Sequence, residues 1–414
     1  MQWTPIQKIA FRFFAVYFFL FAMSNQFVLS FAFDALWRQI VPWFAAHVLH
    51  LEKPITVFSN GSGDTTYNYV SLLVFALLAL IATGAWTVLD RKRQDYGKAF
   101  QWLVVLIRYY VIYQMVIYGL AKLFYLQFQP PHFGKLIEPY GESSPMGLLW
   151  TFMGYSKGYT MFTGFGELAG GLLLLFRQTR TLGALVVFGV MANVMALNFF
   201  YDVPVKILSS HLVLMALFLI ALDLRRVWRV FVANKAVEAA EIPPLFGNPA
   251  LEKAKTIIKW MIIVVGLGFG TYSMISMSAQ YGPVANRPAL HGLYEVTAFR
   301  RNGEELPPLL TDTYRWRWLV IDWKDRAMVK YMNDTERYFD FIPDTTLLTI
   351  TVKSNGRDGT TDTLRYFPRD TSGFRIEGIL EGDTVNIVMK PKKKEDFLLI
   401  NRGFRWVSEY PFNK

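Results

Sequence analysis

Asn193, Asn198, Asp202, Lys206 and His211 fall within one stretch, 193–211, that joins two strongly apolar segments. A charge at the centre of a membrane helix costs about 2.5–3.5 kcal/mol, so polar groups held at such depth point to a function. Two further apolar segments carry Arg108, Tyr118 and Lys122, and Glu167. An ionised Glu167 near mid-span cannot reach water alone, and Lys122 is its natural cation. His211 suits proton transfer at neutral pH, with Glu167 as a relay. Lys122, Glu167 and His211 are therefore the candidate catalytic groups; Arg108, Tyr118, Asn193, Asn198, Asp202 and Lys206 are the candidate ligand-binding groups. Plainer roles compete with these. A lone Lys122 near a helix end would snorkel to the headgroups, and Asp202 and Lys206, four apart, would neutralise one another.

The elements that position these residues are membrane helices. The chain has 414 residues, 53% hydrophobic and 16% aromatic, too apolar for an ordinary soluble protein. About seven segments approach the length of a bilayer span, at roughly 9–31, 67–89, 100–125, 159–176, 181–201, 206–223 and 257–277. Arg91, Lys92, Arg93 and Lys98, then Arg177 and Arg180, then Arg225 to Lys259, all fall on one side if the spans alternate. The positive-inside rule puts that side in the cytoplasm, the N-terminus inside and the C-terminus outside. In a bacterium this is an inner-membrane protein with a periplasmic tail. Residues 35–49 read as a helix lying in the interface, anchored by Trp37 and Trp43. The polar groups then converge in the outer half of the bundle, near a long outer loop containing His132, Lys135 and Glu138.

Arg108, Gly119-x-x-Lys122-Leu123 in one span and Gly164-x-x-Glu167-x-x-Gly170-Gly171 in the next, followed by a Thr-Arg turn at Arg180, resemble the DoxX/DoxD superfamily of four-helix membrane proteins. The resemblance covers about residues 100–223 and implies a role in redox or oxidant-linked systems, including quinone oxidoreduction. It extends distantly to the membrane domain of vitamin K-dependent carboxylases, where Lys122 is the only position that carries over. Four regions follow: 1–99 with two spans and the interfacial helix; 100–223, the DoxX-like core; 224–280, a cytoplasmic loop and the seventh span; and 284–414.

From Pro288 onward the sequence alternates in the manner of short strands, separated by turn signals at Arg301-Asn-Gly303, Ser354-Asn-Gly356 and Glu381-Gly-Asp383. Eight to ten antiparallel strands predict a small barrel or sandwich. Gly292-x-Tyr294 with Arg402 or Arg405 in the last strand resembles a lipocalin-type closure, and Trp406, Tyr410 and Phe412 are expected to pack at the barrel bottom.

With no cysteine, a Cys-x-x-Cys-His haem attachment and a cysteine-ligated iron–sulfur cluster are both excluded, and no dinucleotide-binding motif follows a strand. The five histidines lack metal-ligand spacing. The net charge of +11 owes much to the inside loops, and no nucleic-acid motif accompanies it. Three readings remain. In the first, an outer-leaflet site holds a quinone or lipid-like ligand in a redox or envelope-modifying system. In the second, Lys122 serves a carboxylase-like reaction. In the third, the chain is a scaffold whose β domain binds a periplasmic or membrane partner.

Overall fold

Small polar residues set two of the helix starts in the first half of the chain. Thr4 accepts from the Gln7 amide while Gln7 accepts from the Thr4 amide, and Thr65 and Asn68 repeat the exchange; both boxes satisfy amides that a first helical turn leaves open. The computed structural model describes every residue except 1–2, 26–29, 56, 58–59, 239–245, 284, 355–359, 370–372 and 414. It divides into two units, Met1–Phe128 with Lys157–Ser278, and Gln129–Ser156 with Ala279–Lys414.

In chain order the helices are α1 (Pro5–Ser24), α2 (Ser30–His47), α3 (Thr66–Leu89), α4 (Gly97–Leu123), α5 (Phe133–Leu136), α6 (Pro145–Tyr155), α7 (Lys157–Leu174), α8 (Arg180–Phe200), α9 (Lys206–Ala221), α10 (Leu224–Phe231), α11 (Pro249–Tyr281) and α12 (Leu398–Asn401). Five of them, α1, α3, α4, α8 and α11, are long and apolar enough to cross a membrane. The pair α9 and α10, bent by 78°, makes a sixth if it is one broken span. The sequence led us to expect about seven. The segment that drops out is α7, whose 18 residues include Lys157, Glu167 and five glycines that dilute its apolar character. It rises about 27 Å, close to the span of a bilayer core.

The first unit's core joins α1, α4, α8 and α9 through fully buried Phe18, Phe21, Ile107, Tyr110, Ala184 and Met215. Arg12 of α1 is buried with them and satisfied: Nη1 donates to Thr87 at 2.8 Å, Nη2 to Tyr96 at 2.6 Å, and Tyr96 donates to Asp90 at 2.8 Å. The α2 segment departs from the expected interfacial anchor. Trp37 is only 6% exposed and meets Phe75 of α3 edge-on at 5.0 Å, so its ring is spent on protein packing, whereas Trp43 is exposed.

The second unit is a closed barrel. Its strands are β1 (Gly292–Arg301), β2 (Glu304–Glu305), β3 (Trp316–Trp323), β4 (Arg326–Tyr331), β5 (Glu336–Asp344), β6 (Thr349–Ser354), β7 (Thr361–Arg369), β8 (Gly373–Leu380) and β9 (Asp383–Lys392). Neighbours pair antiparallel, and β9 returns to β1, so eight strands close while the two-residue β2 extends β1. Closure removes the unpaired edges that a sandwich would keep. Asn302 and Gly303 both take positive φ, 53° and 86°, as a tight turn between β1 and β2 requires. Glu381 and Gly382 do the same before β9; Asn355-Gly356 lies outside the described residues.

Alternation along the strands fills the barrel with Tyr294, Phe299, Trp316, Phe339, Phe341 and Phe374. That filling overturns the expected place of the C-terminal aromatics. Trp406 and Tyr410 are 91% and 84% exposed, and Phe412 is also exposed, because the interior is already occupied by strand residues. Arg402 is not in the last strand either; it lies over Phe412 at 4.6 Å. The buried arginine of this unit, among the described residues, is Arg315 just before β3, 3% exposed, which donates to the carbonyls of Leu306 at 3.0 Å and Trp316 at 3.3 Å.

The segment expected to be a long outer loop is the other departure. Residues 129–156, read as part of the 100–223 core, group with the barrel. Phe133 and Ile137 cover the outward face of Leu293, Trp318, Val320 and Met328, which the strand period leaves outside the barrel and which are too apolar to face water.

Candidate functional site

Glycine brings the two central charges together. A Cβ on Gly164 would stand 2.6 Å from Cβ of Lys122, one on Gly119 would stand 2.9 Å from the Gly164 carbonyl, and one on Gly171 would stand 2.9 Å from Cβ of Met115. Gly164 and Gly171 share a face of α7, so that face lies backbone-close against α4. Gly170, one position round, faces α8 at Val187 instead. In this seam Lys122 Nζ donates to both carboxylate oxygens of Glu167 at 2.7 Å. The two residues are 5% and 2% exposed.

Such a pair is bound by mutual need. Each ion alone in a low-dielectric interior carries a desolvation penalty of several kcal/mol, and their attraction offsets it only at good geometry. Tyr118, one turn before Lys122, and Phe128 flank the ammonium with their rings 5.9 Å away. The site therefore consists of a fixed dipole, a phenol and an aromatic face on α4 and the segment after it.

The other expected site residues are distributed differently. His211 of α9 is held against α1: Tyr17 Oη lies 2.8 Å from Nε2, Nδ1 lies 2.8 Å from the Ile207 carbonyl, and the ring stacks on Phe21 at 3.9 Å. With Nδ1–H donating to the carbonyl, Nε2 accepts from the phenol, so both ring nitrogens are engaged. Asn198 is buried and donates to the Val205 carbonyl at 3.4 Å. Asp202 takes φ 51° at the end of α8, and its exposed carboxylate meets Lys206 Nζ at 2.9 Å. Asn193 is exposed on α8. Arg108 is buried on α4, beside Tyr109.

Sequence reasoning missed Asp64. Its carboxylate accepts from the amides of Lys206 at 2.7 Å and Ile207 at 3.0 Å, capping α9 from a loop 142 positions earlier in the chain. The local signal was a Ser-Gly-Asp-Thr run before a helix, which reads only as a cap for α3. Asp64 also borders an open cleft of about 620 Å³ with Glu52, Lys53 and Tyr67. The lining of that cleft does not include the Lys122–Glu167 pair.

The second unit has its own polar cluster, of which the sequence reading named His132 but missed Asp322. The Asp322 carboxylate lies 3.0 Å from His132 Nδ1 and accepts from the amides of Phe133 at 3.1 Å and Gly134 at 3.0 Å. Burial pushes the Asp322 carboxyl up, but the His132 ring and the two amides outweigh it and hold the group below the ordinary carboxylate value. Lys394 donates to the Pro131 carbonyl at 2.8 Å, and burial lowers its ammonium below the ordinary lysine value. These bonds fasten the 129–137 segment to the barrel.

No family profile matches the chain, and no solved structure matches it. The uncharacterized protein YwoB of Bacillus subtilis (strain 168) is 33% identical over 126 residues, which is 30% of this chain and 79% of that protein. At that identity, over most of the relative's length, common descent is the sufficient explanation, and the chain belongs to the family of YwoB.

Proposed function

We propose that this is a DoxX-like integral inner-membrane protein in which the Lys122–Glu167 pair forms the polar end of an outer-leaflet site for a quinone or lipid-like ligand. The barrel lies in the periplasm in this reading, and the whole serves a redox or envelope-modifying system. One observation carries it: a buried, bidentate 2.7 Å ion pair at a glycine seam, in a segment whose surroundings are otherwise apolar. Replacing such a pair with apolar residues is often neutral or stabilising, so stability alone is weak grounds for keeping one. A ligand carbonyl or phosphate oxygen could share the Lys122 ammonium while the apolar remainder lies along the helices.

The engagement of both Glu167 oxygens favours this reading over a carboxylase-like one, in which Lys122 would need a free amine to act as a base. The test is mass spectrometry of the intact protein purified in native lipid. Wild type should carry a quinone or a defined lipid that the Lys122→Met/Glu167→Met variant lacks. Equal ligand content in the two proteins would sink the proposal and leave a scaffold whose pair is structural.

A further inference from the structure

A second polar centre lies on the inner side of the same bundle, and its charges do not balance. Asp223, between α9 and α10, accepts from Arg180 Nη2 at 2.7 Å, pairs with Arg226 at 3.7 Å and accepts from Thr181. One carboxylate therefore serves two guanidinium groups. Arg108, 6% exposed, lies within electrostatic reach of Arg177, Arg180 and Lys259, all cations. Lys259 of α11 sits 4.7 Å over the Phe176 ring.

The hydrogen bonds show the same deficit. The Nε groups of Arg108, Arg180 and Arg226 are buried and have no hydrogen-bond partner among the described residues. Buried donors without acceptors are uncommon, and buried like charges repel one another. Planar guanidinium forks match phosphate oxygens in pairs, and an anion would both satisfy these donors and offset the charge. Arg177, Arg180 and Arg226 lie at or beside helix ends, and Arg108 and Lys259 stand about three turns inside α4 and α11. These ends are on the side where cations cluster, which is where phosphate headgroups of the inner leaflet meet a membrane bundle.

We propose that Arg108, Arg177, Arg180, Arg226 and Lys259 form a binding site for a phosphate monoanion or dianion, carried either by an anionic lipid headgroup or by a soluble phosphate compound. It is distinct from the Lys122–Glu167 site. Arg108 and Lys122 are fourteen positions apart on α4, about 21 Å along the helix.

The test uses the intact protein in nanodiscs and in lipid-free detergent. In nanodiscs of mixed phosphatidylglycerol and phosphatidylcholine, wild type should retain phosphatidylglycerol on native mass spectrometry with about tenfold preference. Arg108→Gln/Arg180→Gln should lose that preference, whereas Arg225→Gln, which alters an exposed cation nearby, should keep it. In detergent, inorganic phosphate should raise Tm more than chloride at equal ionic strength if the ligand is soluble, and should not if the site reads a headgroup within the bilayer. Either response in wild type supports the site and names its source. Neither response in wild type overturns it, and so does a loss of preference in Arg225→Gln equal to that in the double variant.

Discussion

Lys122 and Glu167 can each be removed alone or together, and the comparison separates pairing from burial. Lys122→Met alone leaves a buried carboxylate without its cation, and Glu167→Gln alone leaves the ammonium; each should cost about 3–5 kcal/mol. The double Lys122→Met/Glu167→Met variant should recover most of that loss, read as Tm in detergent. A double variant as unstable as the singles would mean that the pair adds net stability. Tyr17→Phe should cost about 1 kcal/mol, since it leaves His211 Nε2 without its phenol. The Lys122–Glu167 contact was legible in sequence because Glu167 is an isolated charge near mid-span that cannot reach water alone and Lys122 offers a cation in the neighbouring apolar segment. The partner of His211 was not, because Tyr17 lies 194 positions away on a helix whose polar residues gave no sign of their facing. The same reason hid Asp64.

Among elements, the α4–α7 seam depends on glycine where the two backbones meet. Gly164→Ala would press a methyl against Cβ of Lys122 at 2.6 Å and should cost about 1–3 kcal/mol. Gly189→Ala on α8 has no atom within 4 Å of the new methyl and should be neutral or stabilising by about 0.5–1 kcal/mol. Equal effects of the two substitutions in a thermal unfolding assay would contradict this account of the seam. The Asp322 fastening predicts a pH dependence. Its folded carboxyl lies below the unfolded value of 3.8, so its contribution is complete above 3.8 and is lost as pH falls further through the folded value. Pepsin should therefore begin to cut within 129–137 only below that range, and Asp322→Asn should admit cutting without that pH step.

For the whole molecule, a helical half and a strand half were plain in the sequence, because the hydrophobic period changes near Pro288 and the runs shorten. What stayed hidden was the allegiance of 129–156. Its content is too mixed to read as strand or span, and only the outward apolar residues Leu293, Trp318, Val320 and Met328 show that it has a surface to cover. A fragment of 279–414 alone should expose that face and bind a hydrophobic dye such as ANS, and added 129–156 peptide should lower the signal. Covering it with Phe133 is worth about 1.5–3 kcal/mol. A dye-silent fragment would show that the face needs no cover. The barrel unit is also discontinuous in the chain, with its cover made first and its strands last. During synthesis Phe133 is made long before Trp318 exists, so the cover must wait, apolar side chain uncovered, while about 185 further residues are added at roughly 5–20 residues per second. That wait of roughly 10–40 s is a defined window in which the nascent segment carries an apolar side chain with nothing yet made to bury it.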